Sequence, residues 1–90
     1  MQEMEFEIKN KQGLHARPAT ALVNLASKFK ADIYLIKGDK RINAKSILGI
    51  LVLAAEKGSK IKIQTDGEDE KEAINAIVEL ANNKFGMVEE

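Results

Sequence analysis

Met4-Glu5-Phe6-Glu7-Ile8-Lys9-Asn10-Lys11-Gln12-Gly13-Leu14-His15-Ala16-Arg17-Pro18-Ala19 changes its period part-way along, and that change decides the fold. Met4, Phe6 and Ile8 alternate with Glu5 and Glu7, the pattern of a half-buried strand ending near Lys9. Gly13 breaks the alternation. From Ala16 onward, Ala19, Leu22, Val23 and Ala26 fall at helical spacing, with Phe29 close to the same stripe. Pro18 stands in the first turn of that helix, where its missing N–H costs nothing.

The same reading carries outward. Ile33 and Leu35 alternate with Tyr34 and Ile36 in a second strand, and Gly38-Asp39 is the centre of a hairpin turn into a short strand at Lys40 to Ile42. A second helix is expected from Ser46 to about Lys57, ended by Gly58. Ile61 and Ile63 mark a fourth strand. After the Asp66-Gly67 turn, Asp69 and Glu72 have the spacing of a capping box, and Ile74, Ile77, Val78, Ala81 and Phe85 form the stripe of a third helix stopped near Gly86. The order is βαββαβα. Strands with one wet face and helices for the other give a two-layer α+β sandwich, expected as a single domain over residues 1–90. Periodicity does not fix the strand order.

Composition narrows the function. The 90 residues hold 14 basic and 14 acidic side chains, a formal net charge of +0, and no cysteine. Disulfides, thiolate metal sites and cysteine nucleophiles are thereby excluded. Three Phe and one Tyr on a neutral chain argue against a nucleic-acid module. The apolar run Ile50 to Ala55 is too short to span a bilayer, and the N-terminus has no signal-peptide pattern. Charge is uneven: residues 1–45 hold nine basic and five acidic groups, and residues 46–90 the reverse. Such asymmetry can steer an acidic partner to one end, although it commonly marks only a soluble surface.

His15 is the single histidine, placed between the first strand's exit loop and the first helix. A lone histidine is more often structural than functional, but its neighbours matter. The helix start at Ala16 offers unpaired backbone N–H groups and the positive end of a dipole, and Arg17 adds a guanidinium. With no second His and no Cys, His15 does not build a metal site, and no strong nucleophile motif makes it a triad base. It can itself be the nucleophile, accepting a phosphoryl group that Ala16 and Arg17 stabilise.

Ser46 reads first as an N-cap, accepting from the N–H of residue 48 or 49. A phosphate there would complement the dipole and repel an acidic partner, making Ser46 cap and switch at once. Between Ile47 and Ala55 only Gly49 is not apolar. On a helical wheel, Ile50, Leu53 and Ala54 share one face, and Leu48, Leu51, Val52 and Ala55 lie largely opposite, with Ile47 between. The second face is expected to be an exposed partner surface; a wholly buried helix, or a strand, is the alternative. Glu68-Asp69-Glu70 is a charged helix start and not a calcium loop.

Two segments together resemble a known family. Gly13-Leu14-His15-Ala16-Arg17-Pro18-Ala19 is similar to the phosphorylation-site motif of the HPr family, the histidine-containing phosphocarriers of the bacterial phosphotransferase system. Asn43-Ala44-Lys45-Ser46-Ile47-Leu48-Gly49 is similar to its regulatory serine motif. The resemblance covers essentially the whole chain. It implies an open-faced sandwich with a four-stranded antiparallel sheet and three helices on one face. His15 would carry phosphate on Nδ1, received from enzyme I and passed to an enzyme IIA, with Arg17 supporting the transfer. Ser46 would be the target of an HPr kinase/phosphorylase, and its phosphorylated form would bind a carbon-catabolite repressor protein. Ile47, Leu48 and Leu51 would form the partner patch. A cytoplasmic monomeric carrier is implied, without cofactor or metal, nucleic-acid binding or membrane insertion, and dependent on partner enzymes for turnover. The rivals are a purely regulatory binding module acting through Ser46 and the patch, and a nitrogen-related carrier without kinase input at Ser46.

Overall fold

The N-terminal strand is β1, Gln2–Glu7, and the helix after Gly13 is α1, Ala16–Ala26, in a computed structural model that describes residues 1–87. The chain continues through β2 (Asp32–Lys37), β3 (Lys40–Asn43), α2 (Ile47–Leu53), β4 (Lys60–Asp66) and α3 (Glu70–Asn82). A short turn, Lys84–Gly86, follows α3. The sheet runs in the order β1-β4-β2-β3 with every neighbouring pair antiparallel. Lys37 pairs with Lys40, so Gly38 and Asp39 are the two-residue hairpin loop, with Gly38 at φ +61.

One face of the sheet supplies Phe6, Ile33, Leu35, Ile61 and Ile63 to the core. The helices lay Leu22 and Ala26, Ile50 and Leu53, and Ile74 and Ile77 against it. Burying each Ile or Leu contributes about 1.5–3 kcal/mol. Phe85 closes one end of the core, edge-on to Phe6 with ring centroids 6.3 Å apart. The opposite face is polar: Glu5 pairs with Lys62, Glu7 with Lys60, and the Arg41 guanidinium sits 3.7 Å above the Tyr34 ring.

Four sequence expectations are corrected. Met4 is 41% exposed, although Phe6, on the same face of the same strand, is buried. The second helix ends at Leu53 rather than near Lys57. Ala54 takes the left-handed conformation at φ +53, and its carbonyl and that of Ala55 accept from Lys37 Nζ and the Leu14 N–H. Beyond Leu53 the chain is therefore held by tertiary bonds and not by a further helical turn. Gly58 instead turns the chain into β4, its N–H donating to the Ile8 carbonyl.

The capping box is not formed. The Asp69 carboxylate reaches away from its own helix and accepts from the backbone N–H groups of Lys30 and Ala31, at 2.9 and 2.8 Å. The Lys30 bond, followed by that of Ala31, holds its pKa below the ordinary value. Lastly, Phe85 lies beyond α3, in the Lys84–Gly86 turn, although it still packs in the core.

Candidate functional site

The loop that carries His15 is fastened at both ends. Upstream, the Ile8 N–H donates to the Ser59 carbonyl and the Gly58 N–H to the Ile8 carbonyl, at 2.9 and 2.8 Å. The carbonyl of buried Asn10 then accepts from the Gly13 N–H at 3.0 Å. Gly13 sits at φ +72, and a Cβ built on it would lie 2.4 Å from the Ala55 carbonyl oxygen. Only glycine fits this approach. Next door, the Leu14 N–H donates to the same Ala55 carbonyl at 2.8 Å, and the Leu14 side chain enters the core.

His15 follows as the N-cap of α1, in extended conformation at φ −84 and ψ −168. Its carbonyl accepts from the Ala19 N–H at 2.9 Å, but its half-buried side chain makes no capping bond. The N–H groups of Ala16 and Arg17, the first two helical positions, therefore have no intrahelical acceptor. Pro18, the third, has no N–H at all. Backbone donors and the positive dipole end thus stand beside the imidazole. The exposed Arg17 side chain takes part in neither ion pair of the described residues. An open groove continues along α1 from Ala16 and Arg17 past Thr20 and Asn24 to Met87.

A second helix start, at Ser46, is built differently. The Asn43 side-chain oxygen accepts from the Lys45 N–H at 2.8 Å, and the Asn43 carbonyl from the Ser46 N–H at 3.0 Å. Ser46 Oγ then accepts from the Gly49 N–H at 3.1 Å, the cap expected from sequence. Beyond it, Ile50 and Leu53 are buried, while Leu48 is 71%, Val52 64% and Leu51 40% exposed. Ile47 is half-buried between them. The helical wheel is right for these six and wrong for Ala54 and Ala55, which lie past the helix end: Ala55 is buried and Ala54 exposed.

The exit of α2 and the histidine loop are thus one hydrogen-bonded unit through Ala55. Ser46 lies at the other end of α2, about 10 Å along the helix axis. The described residues hold no cluster of three or more His, Cys, Asp or Glu side chains able to bind a metal ion. None of their helices is long and apolar enough to cross a membrane.

A family model described as the PTS HPr component phosphorylation site matches residues 2–83. The chain belongs to the HPr family. It is 46% identical over 86 residues to the phosphocarrier protein HPr of Neisseria meningitidis serogroup A, covering 96% of this chain and 97% of that one. The crystal structure of an HPr from Thermoanaerobacter tengcongensis superposes with a TM-score of 0.94 at 49% identity, covering 99% of this chain and 100% of that one. Crh, the catabolite-repression protein of Bacillus subtilis, seen as a domain-swapped dimer, matches at a TM-score of 0.75 and 37% identity, covering 93% of this chain and 97% of that one.

As a member of the HPr family, the chain has the four-stranded antiparallel sheet and three helices of these phosphocarriers. Sequence reasoning missed two residues that fasten the loop carrying His15. Ala55 acts through its carbonyl, which leaves no side-chain signature. Asn10, a polar residue in a loop, carries no sequence signal of its full burial.

Proposed function

We propose that this HPr-family protein accepts a phosphoryl group on His15 Nδ1 from phospho-enzyme I and passes it to an enzyme IIA of a sugar uptake system. The observation that carries this reading is the uncapped start of α1, where the free N–H groups of Ala16 and Arg17 adjoin the only imidazole. In the step proposed, the Nδ1 lone pair attacks phosphorus, an N–P bond forms, and the donor's bond to phosphorus breaks with its electron pair. The amides of Ala16 and Arg17 and the Arg17 guanidinium stabilise charge on the phosphoryl oxygens. Transfer onward is the same displacement with the partners exchanged. The protein completes no turnover alone, so it is a carrier and not an enzyme, with residues 1–90 acting as one cytoplasmic, monomeric unit.

Regulation forms the second part of the reading. Phosphorylation of Ser46 by an ATP-dependent HPr kinase/phosphorylase would place about two negative charges at the edge of the exposed Ile47-Leu48-Leu51 surface. That charge would hinder docking of an acidic enzyme I and create the surface for a carbon-catabolite repressor protein. A purely regulatory module working through Ser46 is the rival, favoured by the exposure of Leu48 and Val52.

The deciding experiment mixes the protein with phosphoenolpyruvate, magnesium and enzyme I and follows intact mass. One added phosphate, lost in mild acid, is expected. No transfer from an active, matched enzyme I would favour the regulatory module.

A further inference from the structure

Asn10 is fully buried, and its carboxamide spans the length of the chain: Nδ2 donates to the Lys84 carbonyl at 2.9 Å, 74 residues away. Its main-chain carbonyl accepts from the Gly13 N–H, so the same residue also closes the turn that leads to His15. The acceptor at Lys84 is unusual. Lys84, Phe85 and Gly86 have φ of +55, +56 and +76, a run of left-handed residues of which only the last is glycine. Such backbone persists only where its surroundings hold it. Here the buried Phe85 ring and the Asn10 bond do so. The turn delivers Met87 into the groove beside Ala16 and Arg17.

The other half of the Asn10 amide argues about purpose. Oδ1 is buried and has no hydrogen-bond partner among the described residues. A half-satisfied buried amide is a poor stabiliser, because the unpaired acceptor offsets what the made bond contributes. Its distinctive contribution is geometric: one rigid contact from the histidine loop to the C-terminal turn.

We propose that Asn10 is a positioning residue for phosphoryl transfer, fixing the His15 loop against the Lys84–Gly86 turn so that imidazole and helix amides face one phosphorus position. This rests on the carrier reading of His15. Small displacements of a nucleophile are costly in rate, whereas docking through α2 does not involve Asn10.

The experiment follows phosphoryl transfer from phospho-enzyme I to the wild-type protein, Asn10→Ala, Asn10→Ser and a stability control, Ile77→Val, with melting temperatures for each. It also records the His15 ring signals by NMR. Both Asn10 variants should lower kcat by about tenfold at unchanged KM, and their His15 signals should broaden or split. Ile77→Val should keep wild-type kcat and a single sharp set of signals.

Unchanged kcat, a rise in KM alone, or an equal loss in Ile77→Val would overturn the proposal. Asn10→Ser retains a polar group if Asn10→Ala does not fold. A wild-type protein that takes no phosphate refutes the carrier reading. In that case the NMR comparison still decides the clamp: sharp, wild-type His15 signals in the Asn10 variants refute it separately.

Discussion

The starts of α1 and α2 answer the same physical problem in opposite ways. Each helix begins with backbone N–H groups that its own turns leave unpaired. At α2, Ser46 bends its hydroxyl inward and takes the Gly49 N–H. At α1, His15 occupies the equivalent position, makes no such bond, and leaves the Ala16 and Arg17 amides for something else. A capped start is a finished piece of structure, whereas an uncapped one beside an imidazole and a guanidinium leaves donors that an anion could use. On the proposed reading the contrast also bears on regulation: a phosphate on Ser46 would have to give up or recast an existing cap, while one on His15 would meet donors already free.

The sharpest test of that contrast is His15→Ala. It should abolish the acid-labile phosphate entirely and leave the fold intact, since the side chain makes no capping bond. Intact mass and circular dichroism check both halves, and normal labelling of the variant would falsify the assignment. Next comes Gly13→Ala, which forces a Cβ to within 2.4 Å of the Ala55 carbonyl oxygen at a φ of +72. A loss of about 2–3 kcal/mol in urea unfolding is expected, together with slower transfer.

At the other helix, Ser46→Ala should cost about 1 kcal/mol through the lost cap and leave transfer from enzyme I nearly unchanged. Ser46→Asp should keep much of the cap yet slow transfer. Equal kinetics for the two variants would remove the charge mechanism at Ser46. Leu48→Ala, at 71% exposure, should shift stability by no more than about 0.5 kcal/mol while weakening enzyme I binding in titration calorimetry. A collapse in melting temperature without lost affinity would mean that Leu48 belongs to the core.

The smallest effect concerns the third helix start. Asp69 is held below its ordinary pKa by the Lys30 and Ala31 N–H groups, so its folded pKa lies below the unfolded one. Its contribution to stability is present above the unfolded pKa, about 3.9, and is lost as pH falls through the folded value. Asp69→Asn should therefore flatten the acid limb of stability, measured by urea midpoints between neutral pH and about pH 3. An acid limb identical to that of the unaltered protein would show that this carboxylate does not contribute.

The element order, the hairpin at Gly38-Asp39, the Ser46 cap and the outward direction of Leu48, Leu51 and Val52 were legible because each is local. They depend on residues a few positions apart and on the period of one element. The end of α2 was not legible. Eight of the nine residues from Ile47 to Ala55 favour continuation, but the chain leaves the helix after Leu53 so that Ala55 can receive the histidine loop. Asp69 has the sequence of a cap and spends its carboxylate on another loop instead.

By itself, the sequence determined which segments are strands and helices, that His15 precedes a helix beside Arg17, and that α2 has more apolar surface than one core can cover. Tertiary structure alone decided the order β1-β4-β2-β3, the stopping point of α2, and the fastening of the His15 loop to Ala55 and, through Asn10, to Lys84. The reason is the same in each case. A helix or strand pattern reports on side chains repeating along one element. These later choices are made by backbone carbonyls and amides that every residue carries, and only the folded arrangement shows which of them meet.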